Sequence, residues 1–177
     1  MKAIVIHKKQ WIIKTLLVIL LGFISISSFA QVDPTDSIPD DPGGITVYTI
    51  QNMSFGAFSA GTGGTVIISN NGTRSVTGDV LALNLGTSYF HSIFDIDAPQ
   101  GAIVSLLNGS DATLTGSNGG TMSMNIGNSD PASPFIVTVS QPARTQLNVG
   151  GTLTVGNPVA NPPGTYTGTF YITFNLE

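Results

Sequence analysis

The chain has 177 residues, of which 41% are hydrophobic and 9% charged, with no cysteine. Such a composition can bury a core, and it excludes disulfides, thiolate nucleophiles, Cys-ligated zinc, iron–sulfur clusters and a lipid-modified N-terminal cysteine. Charge is divided unevenly: Lys2, Lys8, Lys9 and Lys14 lie at the N-terminus, leaving Arg74 and Arg144 against ten acids, which gives no footprint for nucleic acid or an anionic membrane surface.

Met1–Lys14 reads as the basic region of a secretory signal, and Thr15–Ile24 (TLLVILLGFI) as its apolar stretch. Ser28-Phe29-Ala30 places small residues where a signal peptidase reads them. The uncharged run Thr15–Ala30 is shorter than the ~20 apolar residues of a spanning helix. Cleavage after Ala30 is therefore expected. It leaves 147 residues with a net charge of −8 and removes Trp11, the one tryptophan. The mature protein is expected in the periplasm, at the cell surface or outside the cell, with no membrane span.

Gln31–Gly44 (QVDPTDSIPDDPGG) holds three prolines, four aspartates and a terminal Gly pair. It cannot join a strand ladder and has almost nothing to bury, so it reads as a flexible acidic leader. Asp33, Asp36, Asp40 and Asp41 lack the spacing of an EF-hand loop.

From Ile45 onward apolar residues recur with period two, and helical periodicity is nearly absent. Met122, Met124 and Ile126 share one parity, as do Phe135, Val137 and Val139. Leu147, Val149, Leu153 and Val155 form another set, interrupted by Gly150-Gly151, which predicts a bulge or a change of sheet. Phe170, Ile172, Phe174 and Leu176 alternate with Thr169, Tyr171, Thr173 and Asn175, predicting one buried and one wet face. Turn signals stand at Asn70-Asn71-Gly72, Asn108-Gly109, Asn118-Gly119-Gly120 and Asn161-Pro162-Pro163-Gly164. Asn71-Gly72-Thr73 and Asn108-Gly109-Ser110 also fit the glycosylation sequon, but hairpin turns explain them better. The expected fold is all-β: a single immunoglobulin-like sandwich over residues 45–177, with about eight to ten strands and no disulfides.

Two stretches are less generic: SFGAFSAGTGGTVIISNNGTRSVTGDV (Ser54–Val80) and LNVGGTLTVGNPVANPPGTYTGTFYITFNLE (Leu147–Glu177). Together they resemble a bacterial secreted family catalogued as domain of unknown function 4402. The resemblance implies export, a β-sandwich and a surface or fimbria-like role. It supplies no catalytic residues. A weaker resemblance is to subunits of chaperone–usher pili, which often carry a Gly fourteenth from the C-terminus followed by alternating apolar residues. Here Gly164 holds that place, and Phe170, Ile172, Phe174 and Leu176 alternate after it. The penultimate residue is Leu176, where those subunits have Tyr. This second resemblance implies a pilin-like sandwich and makes Gly164, Phe170, Ile172, Phe174 and Leu176 candidates for strand pairing and assembly.

Chemistry is sparse. His91 is the one histidine after the signal, too few for a triad or a metal cluster. Asp95 and Asp97, two apart in SIFDID, would face the same way on a strand, as a calcium site or glycosidase pair requires. No further acids lie near them in sequence. GTGGTV (Gly61–Val66) has no Lys and leads into a strand, so it is not a phosphate loop. There is no G-x-S-x-G elbow. Tyr48, Tyr89, Tyr166 and Tyr171 are candidates for stacking on sugar rings. No catalytic, cofactor-binding or metal-binding residue is assigned, and no enzymatic activity or cofactor is expected. The expected role is a secreted or cell-surface structural protein, fimbria-like, that associates with itself or with a surface protein. The alternative is an adhesion module that binds a glycan or a protein.

Overall fold

The computed structural model describes residues 44–177, so the signal, its cleavage site and the leader up to Gly43 lie outside the described residues. Eleven strands follow in order: β1 (Thr46–Gln51), β2 (Phe58–Ile68), β3 (Arg74–Ala82), β4 (Ser92–Asp97), β5 (Ile103–Asn108) and β6 (Ala112–Gly116). The remainder are β7 (Thr121–Asp130), β8 (Phe135–Ile136), β9 (Thr145–Val155), β10 (Tyr166–Thr167) and β11 (Ile172–Leu176). No helix among the described residues is long and apolar enough to cross a membrane. The sequence count stops short of eleven because β8 and β10 are two residues each.

All strand pairs are antiparallel. One sheet runs β1-β4-β9-β7-β6-β10, with β2 also on β9 and β3 on β2; the other runs β11-β5-β8. The period-two pattern creates the core directly. In β7, Met122, Met124 and Ile126 are buried while Thr121, Ser123 and Asn125 are exposed. In β4, Ser92, Phe94 and Ile96 point inward, and Asp95 and Asp97 share the opposite face. Ile68, Ile96, Leu147, Leu153, Val66, Val104, Val137 and Val149 are the largest fully buried apolar side chains.

β9 is the central strand. Its first half pairs with β4, Ser92 lying opposite Val149, and its second half with β2, Ile68 lying opposite Gly151. Gly150-Gly151 marks that exchange of neighbours. A Cβ on Gly150 would stand 2.5 Å from the Ile68 carbonyl oxygen and 2.9 Å from the Asn70 nitrogen, so the backbones approach as only glycine allows. β9 itself stays in one sheet. The register shift falls on its other neighbour, between Ile126 and Ser129 of β7.

One turn signal needs correction. Asn70-Asn71-Gly72 closes the β2–β3 hairpin, with Gly72 at φ 82 and the Thr73 N–H donating to Asn71 Oδ1 at 3.0 Å. Asn118-Gly119-Gly120 likewise closes β6–β7. Asn108-Gly109 is not a hairpin turn: β5 and β6 lie in different sheets, and the chain crosses between them there. GTGGTV does not precede a strand but lies inside β2, where the register shifts between Ala60 and Gly63. The Asp79 carboxylate Oδ2 accepts from the Thr62 N–H beside that bulge, at 2.9 Å.

Candidate functional site

The inner faces of the two sheets are not fully closed. An open apolar groove of about 1120 Å³ lies between the C-terminal segment and the stretch running from β1 into β2. One bank is Gly164–Ile172 together with Phe174. The other is Val47, Thr49 and the run Asn52–Ala60. The floor is core: Phe94, Leu114, Met122, Met124, Leu153 and Val155. None of the residues lining it carries a charge.

The C-terminal bank is one extended stretch that serves both sheets. Tyr166 lies opposite Gly116 of β6, and Ile172 opposite Asn108 of β5. The segment thus crosses from the large sheet to the small one in step with the β5–β6 crossing. Gly168 permits this: a Cβ there would stand 2.5 Å from the Thr113 carbonyl oxygen.

β11 ends its sheet, so one of its edges has no strand beside it among the described residues. The Gly109 N–H donates to the Tyr171 carbonyl and the Glu177 N–H to the Ile103 carbonyl, each at 2.9 Å. The odd-numbered residues therefore bond to β5. The N–H and C=O groups of Ile172, Phe174 and Leu176 point to the open edge, while their side chains point to the core.

The candidate assembly residues separate accordingly. Phe170, Ile172 and Phe174 line the groove, and Gly164 lies at its far end beside Ser117. Leu176 packs on the core without lining the groove. The predicted alternation holds, with Thr173 and Asn175 exposed. The predicted burial is incomplete: Phe170, Ile172, Phe174 and Leu176 are all half-buried, the first three because their inner face borders the groove. Phe174 reaches across to Phe94, ring centroids 5.7 Å apart at 64°, the edge-to-face geometry aromatic pairs favour.

Sequence reasoning missed the second bank, Val47 and Phe55–Ala60. Its signal was present in SFGAF, the opening of the first motif. Arg74 shapes this bank. Its guanidinium donates to the carbonyls of Phe55 (3.3 Å), Ala57 (3.2 Å) and Leu83 (3.2 Å) and lies 4.4 Å from the centroid of the Tyr89 ring. It ties the groove wall to the loop 83–91.

The other candidates do not converge. Asp97 Oδ1 accepts from Gln141 Nε2 at 2.7 Å, and Asp95 pairs with Tyr48 on one side and Gln146 on the other. No group of three or more His, Asp or Glu side chains among the described residues is placed to hold a metal ion. The tyrosines are engaged separately. Arg144 covers Tyr48 at 3.9 Å, Arg74 covers Tyr89, and the Tyr166 hydroxyl donates to the Pro162 carbonyl at 2.8 Å. Tyr171 is the most open, at 74% exposure.

Neither the curated proteins nor the solved structures gave a match, so no chaperone–usher subunit stands among the comparisons. A family model does match, over residues 45–175, which takes in the first motif, all but the last two residues of the second, and both banks of the groove. The chain belongs to the family described as Domain of unknown function (DUF4402).

Proposed function

We propose that this protein is exported and acts as a structural, fimbria-like module at the cell surface, joined to its neighbours by an extended peptide strand added in the groove. The observation that carries the reading is the open edge of β11 beside an uncharged apolar groove. Strand addition to an exposed sheet edge uses main-chain hydrogen bonds for affinity and side-chain pockets for specificity. Both are provided here: unpaired N–H and C=O groups on Ile172, Phe174 and Leu176, and a core-lined trough beside them. A groove of 1120 Å³ also exceeds the roughly 300–1,000 Å³ typical of small-molecule sites.

Export and assembly are tested on protein isolated from its native host without denaturant. N-terminal mass analysis should place the first residue at Gln31. Size-exclusion chromatography and negative-stain imaging should show the protein in higher-order assemblies. In these, the amides of Ile172, Phe174 and Leu176 should resist hydrogen exchange, and in the dissociated monomer they should exchange rapidly. A monomer from the host whose β11 amides are protected without a partner would overturn the reading.

A further inference from the structure

We propose that the groove receives an uncharged peptide strand of about ten residues, apolar at alternate positions, supplied by a different polypeptide and not by this chain's own leader. The proposal rests on the strand-uptake reading above and adds the chemistry and source of the strand.

The open edge of β11 selects a peptide over a lipid. Three alternate residues, Ile172, Phe174 and Leu176, present main-chain donors and acceptors to the open edge at strand spacing. An acyl chain would fill the trough and leave them unbonded; a strand satisfies both. The length follows from the bank, which runs from Gly164 to Phe174.

The uncharged lining selects against acidic strands. A carboxylate entering the groove would lose hydration with no cation to meet it. Arg74, behind the wall, is already engaged by three carbonyls and Tyr89.

The leader fails on both counts. Every ten-residue window of Gln31–Gly44 holds at least three aspartates and two prolines. The aspartates carry charge into an apolar trough, and each proline removes a main-chain donor. Its apolar residues, Val32 and Ile38, are too few to occupy alternate pockets. The chain is therefore an acceptor whose leader is not a donor.

The test uses the full exported protein and three probes. The first is a blocked ten-residue peptide alternating threonine with valine or isoleucine. The second is a synthetic Gln31–Gly44 peptide, and the third is oleate. Melting temperature, amide exchange and molar mass by light scattering are the readouts. At ten times its dissociation constant, the alternating peptide should slow exchange at Ile172, Phe174 and Leu176 by about tenfold. It should also raise the melting temperature, with the mass remaining that of one chain plus one peptide. The leader peptide should change neither readout. Protection by the leader peptide would overturn the source and leave strand uptake standing. So would concentration-dependent self-association through an exchanged β1 or β11. Stabilisation by oleate alone, or by none of the three, would overturn both readings.

Discussion

Arg74 closes around Gly56: its guanidinium bonds the carbonyls of Phe55 and Ala57, the residues on either side of that glycine. Gly56 adopts φ +69, and a Cβ on it would lie 2.7 Å from Arg74 Nη1 and 3.3 Å from the Thr87 carbonyl oxygen. Eighteen positions apart in sequence, the two ends of the first motif meet at one bank of the groove. The glycine supplies the left-handed turn and the room, and the arginine supplies three donors in a fixed planar fork.

Arg74→Ala should destabilise the fold by about 2–3 kcal/mol, since it removes charge-assisted hydrogen bonds and the contact with Tyr89. Urea titration measures that loss. Hydrogen exchange should quicken first at 54–58 and 83–90, the two segments Arg74 joins. Arg74→Lys should recover only part of it, because an ammonium lacks the planar fork.

Gly150→Ala should cost about 3 kcal/mol, because the new methyl meets backbone atoms of Ile68 and Asn70, which cannot move aside without parting β2 from β9. Gly151→Ala should cost about 1 kcal/mol. There the nearest atoms belong to the Met53 side chain, which has rotamers to spare. Thermal melts of the two variants side by side check the contrast.

Ile172→Asp and Thr173→Asp test the register of β11. Thr173 is exposed, and its substitution should change stability by less than about 0.5 kcal/mol. Ile172 faces the groove wall. Its aspartate can reach water there, so the protein should still fold with a loss of about 2 kcal/mol. The charge in the groove should abolish binding of the uncharged alternating peptide, as measured by calorimetry.

Phe174→Ala removes the edge-to-face partner of Phe94. A fully buried phenylalanine costs about 3–5 kcal/mol on truncation; Phe174 is half-buried, so about 2 kcal/mol is expected, with peptide affinity falling in parallel. Equilibrium denaturation and titration with the peptide measure the two effects on one sample.

Ser92→Ala should be neutral or stabilising by up to about 1 kcal/mol. Ser92 is fully buried at the start of β4, and its hydroxyl has no hydrogen-bond partner. A small rise in melting temperature checks it.

The strands were legible wherever one face meets the core and the other meets water, as in β7, where every second residue from Met122 to Ile126 is buried. β11 shows the limit of that signal. Its alternation reads correctly, but alternation reports which way a side chain points and not what lies opposite it. Ile172 and Phe174 are half-buried because no strand among the described residues lies beside β11 to close the groove over them. Gly150-Gly151 was legible as an irregularity, but its meaning was not: the partner strands that change there, β2 and β4, lie more than fifty residues upstream. The Val47 to Ala60 bank was obscured for the same reason. Its residues lie mostly outside regular strands, and long-range contacts hold it in place, among them Arg74 to the Phe55 and Ala57 carbonyls and the Ser54–Phe90 bridge.

β9 also decides when this protein can fold. Thr145–Val155 is the strand to which β2, β4 and β7 all pair, so through it β3 and β1, and β6 and β10, join a single sheet. Until residue 155 is available, the preceding chain holds only separate strand pairs, β2–β3, β1–β4, β6–β7 and β5–β8, none of which buries a core alone. Folding is therefore late and cooperative, set by contacts of long sequence separation, with the slow rates that such topology imposes. A chain of this topology stays unfolded until nearly all of it is available.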